Sequence, residues 1–97
     1  MVLYKVTAQH GKYFLNSMWQ DVVHVQDGVT YMFDISDIPN HPFYLSLTTD
    51  GVHSGGTAYE AARTTNTVTL KVTDKTPRQL YYYCAKHAGM GGSLQKV

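Results

Sequence analysis

A single cysteine, Cys84, leaves the chain with no internal disulfide, so its core, with or without a metal, must hold the fold. Charge of one sign is also missing. Lysine and arginine number 8 against 7 acidic residues, a formal net charge of +1. No basic run interleaves with aromatics, so the electrostatic footprint of a nucleic-acid binder is absent. No apolar stretch is long enough to span a bilayer as a helix, and no membrane partner is expected. Met1 leads directly into Val2-Leu3-Tyr4-Lys5-Val6, which reads as a strand rather than as a secretory signal. No segment carries a convincing helical period, and no repeat, linker or low-complexity tract divides the 97 residues. One domain over 1–97 is expected.

What is abundant is β-forming. Tyrosine occurs 8 times, and valine and threonine are frequent. Alternation at period two recurs. In Thr67–Thr73, Val68, Leu70 and Val72 face one way while the threonines and Lys71 face the other. Residues 29–35 and 43–48 place their odd positions on a core face, and Leu80-Tyr81-Tyr82-Tyr83-Cys84 is a further strand. By the same parity Tyr82 is core, and Tyr81 and Tyr83 line the other face. Shorter strands are expected at 2–6, 12–15, 21–25 and 94–97, and a short helical turn near 58–63. Turn signals at Gln26-Asp27-Gly28, Asp50-Gly51, Gly55-Gly56, Asp74–Pro77 and Gly89–Gly92 separate the runs. Seven or eight short strands so punctuated predict an all-β fold, a Greek-key β-sandwich or barrel.

The chemistry concentrates in Cys84-Ala85-Lys86-His87-Ala88-Gly89-Met90. A thiolate, an imidazole and a thioether lie within seven residues, and soft sulfur with imidazole suits copper or zinc. A trigonal His₂Cys set with a weak axial methionine is the blue-copper pattern, and it needs a second histidine. Parity nominates His41, which shares the face of Phe43, Leu45 and Leu47. Cys84 shares the parity of Leu80 and Tyr82, so both ligands reach one pole of a sandwich. The glycines after His87 let a short loop bring Met90 in from the open side. Taken singly, Cys84 reads as buried filler, His87 as a surface residue, Met90 as a gap-filler and His41 as a strand cap. Their spacing after a strand favours one copper site.

The other histidines weigh less. His10 sits in a turn, His24 in a weak strand with the parity of Val22, and His53 in a glycine-rich loop. His53 alone is a candidate extra ligand. No pair of carboxylates has the context of a general acid and base, and no serine has a nucleophile motif.

With Asn40-His41-Pro42-Phe43 upstream, Tyr82-Tyr83-Cys84-Ala85-Lys86-His87-Ala88-Gly89-Met90-Gly91-Gly92 resembles the cupredoxin, or blue-copper, family. The chain is most similar to short cupredoxin-like domains of marine and cyanobacterial phage structural proteins. Those share His-Pro-Phe, the Thr48–Thr57 loop pattern and the Leu80–Gly92 pattern. The resemblance covers about residues 29–93. It implies a Greek-key sandwich with copper at one pole, held by His41, Cys84, His87 and axial Met90. Asn40 and Pro42 flank the first histidine. Many relatives carry there a polar residue that hydrogen-bonds the cysteine sulfur, whereas Pro42 has no N–H to offer.

Two functions are expected from this. One is a phage virion accessory or decoration module, with capsid or tail proteins as partners and the virion as its location. The other is a soluble one-electron carrier whose redox partner docks near His87, in the periplasm or outside the cell if a signal peptide was removed. An enzyme is not expected, because four protein ligands leave no open position for substrate.

Overall fold

The computed structural model describes residues 1–97 as two packed β-sheets. The strands in chain order are β1 Val2–Gln9, β2 Lys12–Leu15, β3 Met18–Trp19, β4 Val23–Val25, β5 Thr30–Asp34, β6 Phe43–Ser46, β7 Ala58–Tyr59, β8 Ala62–Arg63, β9 Thr67–Lys71, β10 Gln79–Cys84 and β11 Gly92–Lys96. One sheet runs β3-β2-β1-β5-β9-β8 and the other β4-β11-β10-β6-β7. Most neighbours are antiparallel. The exceptions are β1 with β5 and β4 with β11, which pair in parallel. The all-β sandwich read from the alternation is what forms. The strand count exceeds the expected seven or eight because three two-residue edge strands, β3, β7 and β8, carry too little sequence to show a period.

Alternation puts Tyr31 and Phe33 of β5, Val68 and Leu70 of β9, Leu80 and Tyr82 of β10, and Phe43 and Leu45 of β6 between the sheets, where all are buried. An aromatic stack forms the floor of one pole. Phe43 lies 5.5 Å from Tyr82 at 21°, and 5.3 Å from both Tyr13 and Phe33. Rings in offset or tilted contact add to the gain from burial.

Two local expectations are corrected. Leu47 is 53% exposed, off the core face. β6 ends at Ser46, whose hydroxyl turns to donate to the Thr48 carbonyl, so the alternation stops two residues earlier than expected. Residues 58–63 form no helical turn. β7 pairs with β6 in one sheet, β8 pairs with β9 in the other, and the chain changes sheets between them. The helical turn is a 3-10 helix at Gly51–Ser54, entered and left through Asp50 and Gly55 in left-handed conformation. Tyr83 lines the other face as expected, and it is nonetheless buried there. Gly51 comes so close to its ring that a Cβ there would overlap it.

Candidate metal centre

His41, Cys84 and His87 converge at one pole. Their ligand atoms all lie within 4.8 Å of one another. His87 Nδ1 is 3.4 Å from Cys84 Sγ and 3.3 Å from His41 Nδ1. Ligands bound to one tetrahedral or trigonal ion at ordinary metal–N and metal–S lengths are themselves about 3.3–3.8 Å apart. The two short separations fall in that range and the third lies within 4.8 Å, so the donor set fits a shared ion. Both imidazoles turn Nδ1 inward. Without a metal, their mutual contact requires one Nδ1 to carry its proton and the other to accept.

Each ligand is placed by a local device. Pro39 and Asn40 occupy the middle of a turn closed by the His41 amide donating to the Ile38 carbonyl at 3.0 Å. Proline's fixed φ suits the second position of such a turn. Pro42 directly precedes β6, where its missing N–H costs no ladder bond, and its carbonyl accepts from the Ala85 amide at 3.0 Å. Asn40 is exposed beside it. Cys84 ends β10 opposite Phe43 and is fully buried. The Ala85–Gly89 bend carries His87 out to solvent. Gly89 at φ 78 and Gly91 then let the chain return, and a Cβ at Gly91 would overlap the Tyr82 carbonyl.

Met90 is 1% exposed and belongs to the core cluster that also contains Cys84. It thus has a packing role irrespective of any ligand role. His53 is not drawn in as a third imidazole. Its Nε2 lies 2.8 Å from the Cys84 carbonyl instead. His10 and His24 are exposed, away from the cluster.

Sequence reasoning missed the residues that brace the pole. Tyr13 of β2 is fully buried. Its hydroxyl donates to the His41 carbonyl at 2.8 Å, and its amide donates to the Met90 carbonyl at 2.9 Å. Burial pushes its hydroxyl pKa up, and the adjacent Cys84 adds to the rise, so the group stays a donor. Both oxygens of Asp50 accept from the Gly89 amide at 3.0 Å. Lys12 and Gln20 donate to the Gly89 carbonyl, and Gln20 also to that of Gly91. Alternation marks Tyr13 as a core residue. Nothing local marks its hydroxyl, because its acceptor lies 28 positions away, in the turn before β6.

No protein-family model matches the sequence, and no curated protein matches it. Among solved structures, a reduced-state amicyanin mutant matches with a TM-score of 0.53 and 16% identity, over 99% of this chain and 81% of that one. At that identity the likeness bears on architecture alone. The chain has a cupredoxin-like fold, with a His-Cys-His cluster at one pole.

Proposed function

We propose that the chain is a cupredoxin-like module holding one copper ion through His41, Cys84 and His87, with Met90 as axial ligand. The observation that carries this is the convergence of two imidazoles and a buried thiol within 4.8 Å. Thiolate with imidazole favours copper over hard cations. Bound copper would supply a one-electron redox couple. Cys84 provides the sulfur from inside the core, His41 and His87 provide Nδ1, and the aromatic floor under Phe43 keeps water away from the buried side. The four protein ligands leave no place for a substrate, so the module is not an enzyme.

The Thr48–Thr57 and Leu80–Gly92 motifs support placing the module in a phage virion as an accessory or decoration protein, against capsid or tail proteins. In that role the metal pins a small domain that has no disulfide. The alternative is a soluble one-electron carrier in the periplasm or outside the cell. It is favoured by the exposure of His87 among the small residues Ala85, Ala88 and Gly89, which let a redox partner approach the imidazole edge.

The test is to add Cu(II) to the purified protein and record its visible spectrum. An intense thiolate-to-copper charge-transfer band is expected, together with a raised melting temperature. Cys84→Ser should remove the band and most of the thermal gain. A colourless protein with copper uptake confirmed would overturn the assignment.

A further inference from the structure

The segment between β6 and β7 doubles back over the outer face of β10 and reaches the ligand pole at two points. Asp50 holds the Gly89 amide, and His53 Nε2 lies 2.8 Å from the Cys84 carbonyl. A carbonyl only accepts, so the His53 Nε2 carries the proton and donates it.

Strand geometry explains why that carbonyl needs a side-chain partner. The Ala85 amide donates to the Pro42 carbonyl, which makes residues 85 and 42 a hydrogen-bonded pair. The neighbouring Cys84 must then turn its own carbonyl away from β6. On that side the pairing of β10 with β11 stops at Tyr82 opposite Gly92. The Cys84 carbonyl thus points past the end of the ladder, and His53 fills the position a strand would have taken.

The His53 ring is itself held. Its plane stands at 88° to Tyr83, with ring centres 6.3 Å apart. Tyr83 in turn packs on Gly51 at the start of the same 3-10 helix. Ser54 donates to the carbonyls of Thr49 and Gly51, closing the helix on itself.

We propose that His53 is a positioning residue for the metal centre. Its hydrogen bond fixes the peptide plane between Cys84 and Ala85. That plane sets the direction of the Cys84 side chain and the angle at which the bend carrying His87 leaves β10. The effect on bound metal rests on the copper reading, whereas the effect on the peptide plane does not.

Two variants test it. His53→Phe keeps a ring against Tyr83 and removes the donor. His53→Gln restores an N–H at comparable reach. In the metal-free protein, carbon-13 NMR of the Cys84 carbonyl and hydrogen exchange of the Ala85 amide are the readouts. His53→Phe should move the carbonyl signal and speed the exchange about fivefold, the loss of one ordinary hydrogen bond. His53→Gln should recover most of both. In the Cu(II)-loaded protein the charge-transfer maximum and the reduction potential should shift in His53→Phe and return in His53→Gln. An unmoved carbonyl signal in His53→Phe, or a glutamine variant that behaves like the phenylalanine one, would overturn the proposal. Identical spectra and potentials in all three loaded proteins would overturn it as well. Failure of the wild type to take up copper would defeat the copper reading alone, and the metal-free arm would still decide the role of His53.

Discussion

The sulfur side and the imidazole side of the pole are built differently. Cys84 and Met90 are 0% and 1% exposed and belong to the hydrophobic core. His41 is half-buried in a turn, and His87 is exposed on a bend. Close packing fixes the sulfurs, because a side chain in a dense interior has few alternative places to go. The imidazoles have no such cage. Their backbone is held by hydrogen bonds instead, between the buried Tyr13 and the His41 carbonyl and between Gly89 and Asp50, Lys12 and Gln20. The contrast teaches that the stability of the metal-free fold and the capacity to bind metal are separable properties of this pole.

The largest effect should come from cutting the floor under the sulfur side. Phe43→Ala should cost about 3–5 kcal/mol in urea unfolding of the metal-free protein. His87→Ala should stay within about 0.5 kcal/mol of wild type, as exposed substitutions usually do, while removing copper binding altogether. Comparable losses of stability in the two variants would erase the distinction.

A smaller change sharpens the role of Met90. Met90→Gln places an amide in the core, which should destabilise the metal-free protein by about 1–3 kcal/mol. With copper loaded, electrochemistry should give a lower reduction potential, because an amide oxygen favours Cu(II) where a thioether favours Cu(I). A destabilised variant with an unchanged potential would leave Met90 as packing only.

The smallest effect tests the tie between the two sides. Tyr13→Phe keeps the ring on Phe43 and deletes only the hydroxyl donated to the His41 carbonyl. A loss of about 1 kcal/mol is expected. It should show as a lower urea midpoint at unchanged m-value. An unshifted midpoint would mean that the hydroxyl does not hold the His41 turn.

The regular strands were legible in the sequence because each hides one face. Val68, Leu70 and Val72 announce β9 and its inward side without any partner being known. Parity and spacing also pointed His41, Cys84 and His87 towards the pole where they meet. What stayed hidden depends on contacts between distant segments. Tyr83 alternates outward and is buried only because the loop through Gly51 folds over it. Residues 58–63 give each sheet an edge strand too short to carry a period. Leu47 lost its predicted place when Ser46 ended β6 early. The hydrogen-bond partners of the pole, Tyr13, Asp50 and His53, are ordinary polar residues until the fold brings carbonyls and amides to them.

The two parallel pairings bear on how fast such a molecule assembles. Val2 lies opposite Tyr31, and Leu94 lies opposite Val23, so the last strand must find one from the first third of the chain. Neither pair can close through a hairpin. Each requires a long loop to be ordered before its contacts can compensate, which slows folding towards the millisecond-to-second range of high-contact-order sandwiches. The bend bearing His87 joins β10 to β11, which pair antiparallel, so it can close locally before β11 finds β4.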